Sequence, residues 1–178
     1  AGLIRQAGLY ADRVSINVEL PTSNGLQRLA PDKNERQIEG ALAQTSARII
    51  EAKDERKRFR HAPRFAPAGQ STQMIVGADS ASDVDIVGKA SRLYGAFGLR
   101  RVYYSAFSPI PDASAVLPLK RPPLLREHRL YQSDWLLRFY GYGVEDVANA
   151  AEADGNLPLD IDPKLAWALK FRGSFPVD

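Results

Sequence analysis

The sequence predicts an α/β chain built on parallel strands, forming part of a (β/α) barrel with a helical extension at its carboxyl end. Three observations predict it. Short apolar strand patterns alternate with helical ones through the first two-thirds of the chain, the rhythm of repeated crossover units around a parallel sheet. Only three such strands are visible, and 178 residues fall short of the roughly 250 that a closed eight-stranded barrel needs. The opening residues Leu3, Ile4 and Leu9 read as the last turns of an apolar-faced helix already under way at residue 1, which favours a piece of a larger barrel over a small open sheet.

The elements follow in order. Residues 14–20 alternate, with Val14, Ile16, Val18 and Leu20 on one side and Ser15, Asn17 and Glu19 on the other, and Pro21 ends the strand. Asn24-Gly25 and Pro31-Asp32 are turn chemistry. Ile38, Leu42, Thr45, Ile49 and Ala52 then step along one side of a helix running to about Lys57. The proline-rich stretch 62–69 is a loop, and residues 71–77 form a second strand around Met74, Ile75 and Val76. Ser82 with Asp85 three residues on is a capping pattern for a helix that Gly98 stops. A third strand spans 99–107. After it the rhythm breaks at Pro109, Pro111, Pro118, Pro122 and Pro123, so residues 1–111 are assigned to the barrel part and 112–178 to a proline-rich connection and helical extension. That extension holds a helix over about 126–140 with Tyr131, Trp135 and Phe139 on one stripe, a short acidic helix over 144–153, and a last helix capped by Asp162 and opened by Pro163.

Composition removes whole classes of chemistry. The sequence contains no cysteine, so thiolate nucleophiles, cysteine zinc sites and cysteine-held iron–sulfur clusters are excluded for this chain by itself. His61 and His128 stand in no metal-ligand spacing, and neither a nucleophile elbow nor a phosphate-binding glycine loop is present. No apolar run reaches the length needed to cross a bilayer and the first residues lack a secretion signal, so the expectation is a cytoplasmic protein with no membrane partner. The net charge of +3 is concentrated locally: Arg48, Lys53, Arg56, Lys57, Arg58, Arg60 and Arg64 stand against only Glu51, Asp54 and Glu55. The residues Lys53, Arg56, Lys57, Arg58, Arg60 and Arg64 are either a solvated helix end or a patch that neutralises phosphates. Residues 137–147, with Gly141 and Gly143, read as a glycine C-cap before a new helix or as a hairpin whose amides take a DNA phosphate.

In parallel alternating folds the ligand lies beyond the carboxyl ends of the strands. Asn17 and Glu19 close the first strand two residues apart and so share a face; an amide and a carboxylate there suit the vicinal hydroxyls of a sugar. The other reading is a half-solvated face that pairs with Arg28 or Lys33. Gly77 permits close approach of backbone to a ligand, and the run from Tyr103 through Ser105 to Pro109 offers an edge for a planar ring or, equally, core tyrosines.

The segments 15–22, 28–33, 66–77, 103–111 and 125–132 together resemble the DNA modification or repair radical S-adenosylmethionine proteins and, more distantly, the second half of the barrel in lipoyl and biotin synthases. That resemblance implies the carboxyl half of a radical S-adenosylmethionine barrel, with Asn17 and Glu19 holding the cofactor's ribose, Arg28 or Lys33 near its carboxylate, and Gly77, Tyr103 and Ser105 bordering its adenine. It also implies a 4Fe–4S cluster only in the complete protein, because the Cys-x-x-x-Cys-x-x-Cys loop and the early strands of the family do not occur in this sequence. The implied partners are the amino-terminal half of the barrel, in the same or a separate chain, and DNA. The family's helix–hairpin–helix segment is expected after Phe171, where this chain stops. The chain alone is expected to be inactive, since homolysis of S-adenosylmethionine needs the cluster's electron. The alternative function is a non-catalytic nucleic-acid-binding module using the basic stretch 48–64.

Overall fold

The computed structural model describes residues 2–112 and 115–174. Seven α-helices and a three-stranded parallel sheet make up the described residues: α1 (Gly2–Tyr10), β1 (Val14–Ser15), α2 (Ser23–Leu29), α3 (Glu35–Arg58), β2 (Gln70–Val76), α4 (Asp83–Phe97), β3 (Arg101–Ala106), α5 (Leu124–Phe139), α6 (Val144–Ala150) and α7 (Pro163–Lys170), with a 3₁₀ turn over Arg172–Ser174. The strand order is β1-β2-β3, so each crossover steps to the neighbouring strand in the same direction. α3, α4 and α5 all pack on the same face of the sheet, the arrangement that right-handed crossovers stepping in one direction produce.

That face holds the core. Met74 and Val76 of β2 and Val102 and Tyr104 of β3 pack on Leu42 of α3, on Ile86, Val87, Ala90 and Leu93 of α4, and on Leu130 of α5. Val147 and Leu157 belong to the same cluster, so the extension shares its core with the sheet. Gln70 sits fully buried at the start of β2, where its amide donates to the carbonyls of Leu42 and Phe97 and ties α3 to α4. The capping box at α4 forms as the sequence predicts, Ser82 accepting from the Asp85 amide while the Asp85 carboxylate accepts from that of Ser82, and Gly98 ends the helix in the left-handed region. Asp83 is wholly buried; its carboxylate takes Arg126 of α5 at 2.7 Å and the amide of Leu157 at 2.9 Å, fastening the extension to α4.

Two elements depart from the sequence reading. Asn24-Gly25 lies inside α2 rather than in a turn: Thr22 caps the helix by accepting from the Gly25 amide, and Leu26 buries against Leu20 and Ala78. Gly25 is needed there because a Cβ would stand 2.2 Å from an Asp79 carboxylate oxygen. The strand expected over 14–20 forms regular pairing only at Val14 and Ser15, with a single further bridge between Glu19 and Met74. Between Ser15↔Ser71 and Glu19↔Met74 the first segment uses one residue more than its partner, a bulge that closes in a three-residue turn at Glu19. There the Leu20 amide donates to the Val18 carbonyl at 2.8 Å, and Glu19 has φ of 65°.

Among the described residues no helix is long and apolar enough to cross a membrane.

Candidate functional site

The sheet has two unlike faces. In a doubly wound fold helices would cover both; here α3, α4 and α5 cover one, and the other carries Ser15, Asn17, Ser71, Gln73, Tyr103 and Ser105. The register lines them up across the strands, Ser15 beside Ser71, Gln73 beside Tyr103 and Ile75 beside Ser105. Ser71 is buried, Asn17, Gln73 and Ser105 are half-buried, and Tyr103 is 39% exposed. Ile75 and Phe107 close the carboxyl end of this face against Leu20 and Leu26. Helices thus cover one face of the parallel sheet and mainly polar side chains the other.

The two edges differ as sharply. On β3 the outward amides of Val102, Tyr104 and Ala106 each donate to a side chain: the Tyr94 hydroxyl at 2.9 Å, the Tyr131 hydroxyl at 3.0 Å and the Glu127 carboxylate at 2.9 Å. The Tyr131 hydroxyl also donates to the Tyr104 carbonyl. This edge is finished. On β1, Val14 and Ile16 bond to β2, whereas the Ser15 amide points away from it and has no hydrogen-bond partner among the described residues. An open edge of this kind is a place where a further strand pairs.

The residues singled out from sequence fall in three places. Asn17 lies on the helix-free face, its amide oxygen accepting from the Ser15 hydroxyl at 3.0 Å. Glu19, in its left-handed turn, forms an ion pair with Lys33, so the pairing weighed as the plainer reading is made. The alternation holds as far as Asn17, which stays beside Ser15, and breaks at Glu19, which the bulge brings opposite Met74 with its carboxylate at the rim beside Lys33. Arg28 is exposed on α2 and makes no ion pair among the described residues. Gly77 has φ of 77°, and the side it leaves open is filled by Pro122 from the proline-rich connection, 2.8 Å from where a Cβ would stand; the close approach a ligand was expected to make there is made by a proline ring. Tyr103 and Ser105 both face the helix-free side, with the Arg101 guanidinium 5.0 Å from the Tyr103 ring. Tyr104 instead joins the core, and burial together with the nearby Asp134 carboxylate raises its phenol well above the ordinary value.

The basic stretch lies at the opposite end of the sheet. Lys57 pairs with Asp54 at 2.8 Å, the Arg56 guanidinium caps the Ala62 carbonyl, and Lys53, Arg58, Arg60 and Arg64 are exposed without ion pairs among the described residues. The glycines at 141 and 143 resolve to the C-cap reading: Gly141 has φ of 73°, the Tyr142 amide reaches the Leu136 carbonyl, and the Gly143 amide already donates to Asp146. A groove of about 850 Å³ between α1 and α3 is lined by Ile4, Gln44, Arg48 and Phe65 and lies away from the polar face.

The polar face offers an amide, hydroxyls and an exposed aromatic ring, with a carboxylate and an ammonium at its rim. It does not answer to an iron–sulfur cluster, since the chain has no cysteine and no three His, Asp or Glu among the described residues gather to hold a metal. Sequence reasoning placed Ser15 on the polar side of the first strand but did not single out Ser71 and Gln73, although the positions alternating with Thr72, Met74 and Val76 carry that signal. No family model, curated protein or solved structure matches the chain.

Proposed function

We propose that this chain is the S-adenosylmethionine-binding part of a radical S-adenosylmethionine enzyme acting on DNA, completed by an amino-terminal half that supplies the cluster. The observation that supports it is the sheet itself: helices on one face, polar side chains on the other, one edge capped by side chains and one left open. In this reading the incoming strand pairs along the open edge of β1, and the polar face becomes the wall of a closed cavity.

The Asn17 amide donates to and accepts from a ribose diol, and the Glu19 carboxylate accepts from it. Lys33 holds Glu19 in place until the sugar arrives, and its remaining ammonium protons are free for a carboxylate. Tyr103 and Ser105 present a ring face and a hydroxyl to a planar base. When bound with its cluster, the cofactor supplies a deoxyadenosyl radical; this chain's residues contribute position and exclusion of water.

Titration calorimetry with S-adenosylmethionine on the chain joined to its amino-terminal half tests the reading. Glu19→Ala is expected to weaken binding at least tenfold, in keeping with about 1.5–3 kcal/mol for a hydrogen bond to a charged group, and Asn17→Ala about 2- to 10-fold, in keeping with about 0.5–1.5 kcal/mol for a neutral one. Unchanged affinity in both variants removes the site.

A further inference from the structure

We propose that the amino-terminal rim of the sheet, at the end opposite the polar cofactor face's carboxyl rim, is a binding surface for single-stranded nucleic acid. The sequence scatters the residues concerned; the topology collects them. α3 starts at the carboxyl rim and runs back along β2. Its 24 residues span about 36 Å, while the seven of β2 span about 23 Å. Its last turns therefore stand beyond the sheet, and its last buried residue is Ala52. Arg58, Phe59 and Arg60 lie on this overhang, all exposed, with the Phe59 ring 67% accessible.

Beside them the strands begin. Tyr10, 91% exposed, ends α1 at the foot of β1. Arg13 donates from Nε to the Ala68 carbonyl at 3.3 Å. Gly69, next in the chain, lies against the Arg100 side chain at the foot of β3. Arg13 and Arg100 thus sit two strand spacings apart, about 10 Å, along a line that continues into a cleft of about 580 Å³ bordered by Phe139 and Tyr142. The acids near this cleft are engaged: Asp134 holds Arg138 and Tyr94, and Asp146 caps α6 and takes the Trp167 indole. Asp12, exposed between Tyr10 and Arg13, is a carboxylate left on the rim.

Arginines without carboxylate partners neutralise phosphates, and exposed rings between them stack on unpaired bases. The interleaving of Arg58, Phe59 and Arg60 selects a single strand over a duplex, whose bases are already stacked, and over a lipid surface, which has no bases to stack. The surface is independent of the cofactor reading, because it lies at the other end of the sheet and uses none of the same residues.

Fluorescence anisotropy on the full chain tests it, with labelled 20-mers of oligothymidylate and oligouridylate, a duplex of equal length, and anionic phosphatidylserine vesicles, each across 50–200 mM salt. Binding to either single strand is expected, tighter than to duplex or vesicles. In the combined variant Arg13→Gln, Arg60→Gln, Arg100→Gln the logarithmic salt slope should fall by about 2, at 0.7 per contact on a single strand. Phe59→Leu should lower affinity about 5- to 100-fold with the slope unchanged. Lys120→Gln with Arg121→Gln, exposed at the opposite rim, should leave binding as it is, and circular dichroism should show all variants folded. No binding to either single strand, duplex or vesicles bound as tightly, a rim variant that binds like wild type, or equal loss from the Lys120 and Arg121 variant overturns the proposal.

Discussion

Glu19 is the residue at which local conformation and proposed chemistry conflict, and the conflict is informative. A non-glycine residue in the left-handed region costs roughly 1–2 kcal/mol, and its half-exposed pair with Lys33 returns at most about 1 kcal/mol. Strain of this kind persists where the surrounding structure imposes it, and such positions cluster at functional sites. Glu19→Gly relieves the strain, loses the pair and adds the chain entropy of glycine, terms that nearly cancel. Its thermal midpoint should stay within about 3 °C of wild type, while S-adenosylmethionine affinity of the completed barrel falls. A drop beyond about 8 °C would make Glu19 a structural residue instead. None of this conformation was legible in the sequence. Val14, Val18 and Leu20 are buried as the alternation requires, but the pattern of apolar residues does not record the extra residue that the bulge inserts before Glu19.

Elements with their own terminal chemistry were legible. Ser82, Asp85 and Gly98 bound α4 by interactions within a few residues, and Asp162 with Pro163 opens α7 the same way. Elements defined by distant partners were not: α2 exists because Leu26 finds Leu20 and Ala78, which Asn24-Gly25 gives no hint of. The same holds for the aromatic stripe of α5, where Trp135 and Phe139 stack at 4.4 Å on the exposed side while Leu130, Ser133 and Asp134 face inward. The finished edge of β3 is also a long-range construction, and Tyr131→Phe tests it. Losing the hydroxyl leaves the Tyr104 amide and carbonyl without partners, at about 1–3 kcal/mol, read as a lower urea midpoint with unchanged m-value. A variant as stable as wild type would show that the edge needs no such capping.

Between α3 and α4 the fold depends on pH. Glu35 and Glu39 bind Lys89, which is buried, and Arg92, which is exposed. Lys89 donating to Glu35 and Arg92 donating to Glu39 hold both carboxyls below the ordinary value of 4.5. Because the folded values lie lower, this contribution is fully present above pH about 5 and is lost as pH falls through them. Urea midpoints should therefore be flat in this respect from pH 7 to 5 and fall below about 4.5, and Glu39→Gln should fall less steeply over that acid range. An equal slope in the variant would place the acid sensitivity elsewhere.

For the whole molecule, the strand–helix rhythm announced a parallel sheet, and α3, α4 and α5 pack together on one face of it. What no single segment could announce is the consequence: a polar face without helices, a capped edge on β3, an open edge on β1, and arginines from separate loops gathered at one rim. The central claim is that the open edge takes a strand from an amino-terminal half and turns the polar face inward. Hydrogen exchange at the Ser15 amide, measured on the chain alone and after joining it to that half, tests this most directly. Slow, protected exchange at Ser15 in the joined protein against fast exchange in the chain alone is the predicted result; an equally fast Ser15 amide in both would contradict the claim.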